Sequence, residues 1–337
     1  MAGALLLTLL LLPAVLFALW HLSATSVPPV PNSLRNKRII LLIAHPDDES
    51  MFFSPTLQAL THPSLQNHLK ILCMSTGNAD GLGDTRRLEL ETAALTLGLR
   101  RKEDVFVLDD ERFKDGMKED WQSDDIVRVL ASAFAPHLNA PDAPASNTST
   151  GSSGKTTDKD KERRKSKSSK SSKLSPTSTS TATESSTTTP TVEGPRASID
   201  VLITFDEAGV SSHPNHIALY HGARQFVQTI MKGHSGYTCP VALYTLPSVN
   251  IVRKYSFIMD ALPTFLSGIS GALTGGGSKD SSAKAVVFVN DIARYCKARD
   301  AMTSGHKSQM VWFRWGWIGL GRYMVINDLR TEKIIAT

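Results

Sequence analysis

The hexapeptide AHPDDE at residues 44–49 puts an imidazole and three carboxylates at the end of the apolar run RIILLI. Carboxylates this close repel one another. A helix start explains part of the pattern, because Pro46 suits a first helical position and acidic residues favour the helix dipole there. A metal ion explains more. His45 and Asp48 are three apart, so at a helix start both can face one point. The stretch DVLITFDEAGVSSHPNH (200–216) repeats the arrangement, an apolar strand followed by a His-Pro turn that carries His213 and His216. Two imidazoles and one carboxylate, from His45, Asp48 and His216, leave Zn²⁺ an open position for water. Zinc brings the pKa of such a water down to about 7. Asp47 is then free to act as general base. His213 can steady an oxyanion or protonate a departing amine. Glu49 reads as structural, and Asp206 as a partner that orients a histidine. Two His and one carboxylate also describe a non-haem iron oxidase, and spacing leaves that alternative open.

These residues need a frame that brings two distant strand ends together. RIILLIA (38–44), LKILCMST (69–76), DVFVLD (104–109), SIDVLITF (198–205), VALYTL (241–246) and AVVFV (285–289) read as buried strands. DTRRLELETAALTLGL (84–99), SDDIVRVLASAFAPHL (123–138), NHIALYHGARQFVQTIMK (215–232) and NDIARYCKARDAMTSGH (290–306) read as helices. The alternation predicts an α/β fold, with a Rossmann-like, doubly wound, mostly parallel sheet and helices on both faces. Such sheets bind ligands beyond the carboxyl ends of their strands, where both His-Pro turns fall.

The 337-residue chain has a formal charge of +5, but ten Lys/Arg against six Asp/Glu lie within 140–197, a net of +4. The remainder is near neutral, so no basic face points to a nucleic-acid partner. Segment 140–197 is rich in Ser, Thr and Lys and has no aromatics. It cannot bury enough surface to offset its ordering entropy, and reads as a disordered insertion in one domain spanning 38–330. The polar stretch 274–284 reads as a loop. Cys73, Cys239 and Cys296 are far apart with no CxxC, which fits reduced thiols and not a disulfide framework. Residues 2–20 carry no charge, and as helix they reach about 28 Å, close to a bilayer core. A cleaved signal peptide would want a basic start and a shorter apolar run, though LSA at 22–24 offers a cleavage site. The favoured reading is one transmembrane anchor over 2–22 and a stiff linker over 23–37. Arg35, Lys37 and Arg38 then place everything beyond the anchor on the cytosolic side.

Four motifs occur in order: AHPDDE, TGNADGLGDTRRLEL, TFDEAGVSSHPNH and GHKSQMVWFRW. In them, over about residues 38–138 and 198–330, the chain resembles the N-acetylglucosaminyl-phosphatidylinositol de-N-acetylases of glycosylphosphatidylinositol (GPI) anchor synthesis. These belong to a wider group of zinc-dependent N-acetylglucosaminide deacetylases. The resemblance implies hydrolytic removal of acetate from a glycolipid, GlcNAc-phosphatidylinositol. It implies a single-pass protein of the endoplasmic reticulum membrane with its catalytic domain facing the cytosol. It also implies His45, Asp48 and His216 as metal ligands, Asp47 as base and His213 as electrostatic partner. Arg86, a group able to clamp phosphate, and Asn78 fall to the substrate. Apart from the resemblance, His306 and Gln309, just before the late aromatic stretch, read as substrate-binding residues that close the pocket. The insertion departs from the family's pattern. A non-catalytic glycolipid-binding membrane protein on the same scaffold is the alternative class.

Residues 310–324 hold three of the five Trp. Tryptophans beside Arg314 and Arg322 suit a lipid headgroup layer, and a packed helix or strand is the competing account. The apolar stretch 257–273, broken by Pro263 and Gly268, is a second candidate for membrane contact.

Overall fold

The computed structural model describes residues 2–139, 194–266 and 285–334; the side chains of residues 2–10 and 139 lie outside that description. Most of the expected insertion (140–193), the polar stretch 274–284 and the end of 257–273 likewise fall outside the described residues.

Seven strands form one sheet in the order β3-β2-β1-β4-β5-β7-β6. They are β1 (Arg38–Ile43), β2 (His68–Cys73), β3 (Val105–Val107), β4 (Val201–Phe205), β5 (Ala242–Leu246), β6 (Val286–Val289) and β7 (Ile326–Thr331). The first five are parallel, with β1 between β2 and β4. β7 runs antiparallel to both β5 and β6. Burial explains the central pair. Every residue of β1 after Arg38 is buried, and all of β4 is. A strand covered on both faces reads as a continuous apolar run, and each fully buried Leu or Ile contributes about 1.5–3 kcal/mol. Chain order reverses between β1 and β4, which opens a crevice at their carboxyl ends.

The helices are α1 (Ala2–Thr25), α2 (Asp48–Met51), α3 (Ser54–Leu60), α4 (Gly83–Thr96), α5 (Ser123–Phe134), α6 (Gly209–Ser212), α7 (Pro214–Met231), α8 (Ile251–Lys254), α9 (Ile292–Asp300) and α10 (Trp312–Leu320). The helix expected over 290–306 stops at Asp300 and passes into a π-helical turn over Ala301–Gly305. α1 is helical where the anchor is expected, and carries no charge in its first or last turn. Among the described residues, however, no helix is long and apolar enough to cross a membrane. The second half of α1 docks on the domain. Trp20 Nε1 donates to the Asn290 carbonyl at 2.7 Å, and its ring meets Phe257 and Tyr295 edge-on. Residues 23–37, expected as a spacer, also lie against the domain. Leu34 is fully buried, and the Asn36 N–H bonds the Leu65 carbonyl at 2.8 Å.

Arg322, expected near headgroups, is completely buried. Its Nε lies 2.6 Å from Asp260 and its Nη2 2.8 Å from Asp328, while Arg253 clasps Asp260 from the other side. A buried guanidinium survives only when paired in this way, so Arg322 ties the end of α10 to β7. Trp317 is buried too, with Nε1 on the Met51 carbonyl at 3.1 Å. Trp312, Phe313 and Trp315 of the same helix are exposed.

α5 and α7 cross at Gly222, where a Cβ would stand 2.5 Å from Ile126 Cγ2 and 2.6 Å from its Cβ. Gly222→Ala gains about 1 kcal/mol of helix propensity, yet overpacking loses about 1–3 kcal/mol. Gly316 in α10 has no atom within 4 Å of such a Cβ. Denaturant midpoints should therefore fall for Gly222→Ala and hold or rise for Gly316→Ala; equal shifts would remove the close crossing.

Candidate functional site

The site lies where β1 and β4 end side by side. Beyond β1, Asp48 opens α2 and locks its own turn: Oδ2 accepts the N–H groups of Ala44 and His45 at 3.0 and 2.9 Å. Burial alone would raise the Asp48 carboxyl, but the adjoining His216 and His45 outweigh it and hold the group well below the usual carboxylate range. Its other oxygen, Oδ1, faces His216 Nε2 at 3.2 Å.

Beyond β4 the backbone turns through left-handed Gly209, Val210 and Ser212. A β-branched residue at φ 55° is strained, and such strain collects at functional sites. The turn presents the Gly209 carbonyl to His216 Nδ1 at 3.1 Å. A carbonyl only accepts, so Nδ1 carries the proton and Nε2 offers a lone pair. The His216 ring is stacked on Phe205, with centroids 3.9 Å apart, and cannot rotate away. His213 has the opposite tautomer. As the cap of α7, its Nδ1 accepts the Asn215 N–H at 3.3 Å, which leaves the proton of the neutral ring on Nε2.

The imidazoles of His45, His213 and His216 converge, each offering one nitrogen within 4.8 Å of the others. Burial pushes His45 down to about 4, against the pull of Asp48 and Asp115. Burial also lowers His213, helped by His216. Neutral rings are what metal ligation needs. The decisive contact is His216 Nε2 against Asp48 Oδ1 at 3.2 Å, which sets two acceptors face to face whenever the His216 ring is neutral. Only a cation between them, a proton or a metal ion, relieves that contact. The residues therefore fit a metal. Asp48 lies 3.2 Å from His216 Nε2 and 3.9 Å from His45 Nδ1, and His213 stands within the same cluster with its neutral-ring proton on Nε2.

Asp47 sits between Pro46 and Asp48 at φ 132°, ψ −21°, a conformation that costs about 1–3 kcal/mol. Its carboxyl is buried, and that burial pushes it up to about 6 against the Arg314 guanidinium, whose Nη2 lies 2.5 Å from Oδ2. The strained turn is held by Glu49. One Glu49 oxygen accepts the Asp47 N–H at 3.2 Å, and the other takes Ser50 Oγ and His306 Nε2 at 2.5 and 2.6 Å. His306 is fully buried, and its Nδ1 is occupied by Gln309 at 3.0 Å. It therefore does not close the pocket against substrate, as expected of it. It braces Glu49, and through Glu49 the base. Gly305 allows this by lying where a Cβ would meet the Ala93 backbone at 3.0 Å. Asp206 also departs from expectation. Its carboxylate takes the Ser248 N–H and Oγ, both at 2.6 Å, and Ser248 Oγ in turn accepts the Val210 N–H. It holds the His-bearing loop and no histidine.

An acidic cleft of about 310 Å³ opens beside the imidazoles, lined by Asn78, Asp110, Lys114, Asp115 and Glu119 among others. Asn78 Oδ1 accepts the Gly83 N–H at 2.9 Å. Arg86 stands behind the cleft, its Nη1 on the Gly77 carbonyl at 2.6 Å and 3.6 Å from Asp115, its Nη2 on Asp80 at 2.9 Å. Asp115 in turn lies 3.1 Å from His45 Nε2. Sequence reasoning missed Asp115, Arg314 and the bracing by Glu49. A signal for Asp115 was present: the acid-rich run LDDERFKDGMKED directly follows β3, a parallel neighbour in the same sheet.

The family profile described as "PIG-L: GlcNAc-PI de-N-acetylase" matches residues 40–227. The N-acetylglucosaminyl-phosphatidylinositol de-N-acetylase of Arthroderma benhamiae is 42% identical, covering 97% of this chain and 98% of its own. The Saccharomyces cerevisiae protein of the same name is 30% identical, covering 88% and 82%. Among solved structures, the N,N'-diacetylchitobiose deacetylase of Pyrococcus horikoshii aligns with a TM-score of 0.45 and 13% identity, over 88% of this chain and 84% of that one. With both His-Pro turns inside the matched span, this chain belongs to the GlcNAc-PI de-N-acetylase family.

Proposed function

We propose that this chain hydrolyses the acetamide of GlcNAc-phosphatidylinositol, releasing acetate and leaving glucosaminyl-phosphatidylinositol, an early step of GPI-anchor synthesis. The observation that carries the chemistry is the opposed tautomers of His216 and His213 beside Asp48. One imidazole offers a lone pair to a cation and the other a proton to an oxyanion. Family membership supplies the substrate.

The ligands are His45, Asp48 and His216, and the donor set of neutral imidazoles with one carboxylate favours Zn²⁺. A bound zinc ion supplies a polarised, acidified water. Asp47 takes the proton of the attacking water. Arg314 occupies its Oδ2, which leaves Oδ1 for that proton. His213 donates from Nε2 to the oxygen of the acetamide as charge develops there. When the C–N bond breaks, the proton held by Asp47 passes to the departing amine. The acidic cleft, with Asn78 and Asp115, accepts the hydroxyls of the sugar, and Arg86 keeps Asp115 in place.

The substrate is a lipid, so the site must work at a bilayer. We place the chain at the endoplasmic reticulum membrane, anchored through its uncharged N-terminal run with the domain on the cytosolic side. The uncharged run over 2–20 supports the anchor, and Trp312, Phe313 and Trp315, exposed on α10, support contact with the interface.

Chelation of the purified full chain should abolish acetate release, and zinc should restore it. His216→Ala should lose both metal and activity. Asp47→Asn should keep its metal and lose activity by about 10²–10⁴-fold. Full activity in both variants would end the assignment. Because φ 132° at Asp47 suits glycine, Asp47→Gly should exceed Asp47→Ala in stability by about 1 kcal/mol or more. Both lack the base, so the difference reads the strain alone; identical melting curves would remove it.

A further inference from the structure

We propose that Arg314 reads the phosphodiester of the substrate, and so makes the enzyme specific for a phosphoinositide over a neutral glucosaminide. The proposal rests on the functional reading above. Arg314 spends one N–H on Asp47 Oδ2, while its Nε and Nη1 are buried without a partner. Buried donors left unpaired are unfavourable, most of all on a charged group. Arg322 has the same two donors without a hydrogen bond inside a closed ion network, but those of Arg314 stand beside the base, where substrate must come.

Other guanidiniums near the site also keep buried donors without a hydrogen bond, Nε of Arg86 and Nε and Nη1 of Arg322, but each has its charge matched by two carboxylates, whereas among the described residues Arg314 has Asp47 alone. Arg86 is held by Asp80, Asp115 and the Gly77 carbonyl, so its charge is matched before substrate enters. Arg322 and Arg253 are committed to Asp260 and Asp328. Lys254 differs. Its ammonium lies 5.6 Å over the Trp317 ring, and its one hydrogen bond among the described residues goes to the Val210 carbonyl at 3.2 Å. Lys254 is thus tied to α10 through Trp317, three residues beyond Arg314, while the Arg314 guanidinium itself lies 6.0 Å over the Phe313 ring.

The chemistry of the substrate fits this placement. The acetamide at C2 of the sugar adjoins the glycosidic link at C1, and only the inositol ring stands between that link and the phosphate. A cation next to the base is therefore within one ring of the acetamide nitrogen. α10 also turns Trp312 and Trp315 outward while Arg314 points in, so a headgroup entering past the aromatic face meets the guanidinium first. A guanidinium suits phosphate oxygens better than an ammonium does.

The test uses the zinc-loaded full chain with two substrates, GlcNAc-phosphatidylinositol and the neutral GlcNAc-inositol that lacks phosphate. Arg314→Gln should raise KM for the phospholipid about tenfold or more and bring the kcat/KM ratio of the two substrates toward one. Arg314→Lys should recover part of the difference, and Lys254→Gln should lose less of it. By calorimetry, inositol 1-phosphate should bind Arg314→Gln about tenfold more weakly than wild type. It should bind Asp47→Asn more tightly, because the guanidinium is then released. An equal fall on both substrates with unchanged inositol 1-phosphate binding would leave Arg314 as a partner of Asp47 only and overturn the proposal. So would inorganic phosphate binding as tightly as inositol 1-phosphate, which marks a free-anion site. Failure of the wild type to release acetate from GlcNAc-phosphatidylinositol would instead sink the functional reading, and the calorimetric arm would still decide the role of Arg314.

Discussion

A carboxylate oxygen and an imidazole lone pair face each other across 3.2 Å at Asp48 and His216, and the protein is arranged so that neither can turn away. The far oxygen of Asp48 is fixed by two backbone N–H groups, and the far nitrogen of His216 by the Gly209 carbonyl. Behind His216 lies the Phe205 ring, part of the fully buried β4. Each group thus stands beyond one of two adjacent parallel strands, Asp48 opening α2 after β1 and His216 in the first turn of α7 after β4. A cation shared between them, a proton or a metal ion, joins the two turns, and packing of the central sheet holds both in reach of it. This is why the most apolar strands of the chain end in its most polar turns.

Strain follows the same logic. Asp47 and Val210 both adopt positive φ, one after each strand, and each is over-determined by contacts from far along the chain. Glu49 and His306 hold the Asp47 turn across 257 residues of sequence. Ser248, held by Asp206, fixes Val210. The catalytic turns are therefore not local motifs in an energetic sense. They depend on the last third of the chain, and GHKSQ has its place as a brace: Ser308 grips Glu89 of α4 at 2.6 and 2.7 Å while His306 grips Glu49.

Much of this was legible from residue types, for physical reasons. Strands buried on both faces leave long apolar runs, so β1, β2, β4 and β5 announce themselves, and a His-Pro turn after such a run has few structural uses. β7 escaped because it reads INDLRT. Its polar residues are satisfied inside the fold: Asn327 bonds Thr56 and the Phe52 carbonyl, and Asp328 pairs with Arg322. Pairings of that kind leave no period in sequence. The same holds for His306, whose role is set by a carboxylate on the opposite side of the sheet's end. Arg322 and Arg314 stand eight residues apart in one aromatic stretch, yet one is locked in a buried ion network and the other aims at the base. Composition alone cannot separate them.

That division within one stretch also accounts for the character of α10. An amphipathic helix normally turns its charges to water and its apolar side to the core. Here Trp312, Phe313 and Trp315 face out, and Arg314 faces in. In a purely aqueous setting the arrangement would be doubly unfavourable, since it exposes aromatic area and buries a guanidinium. The guanidinium is compensated by the Asp47 carboxylate. On the same helix Trp317 and Ile318 pack into the core, so α10 joins the core, the base and the outer face within nine residues.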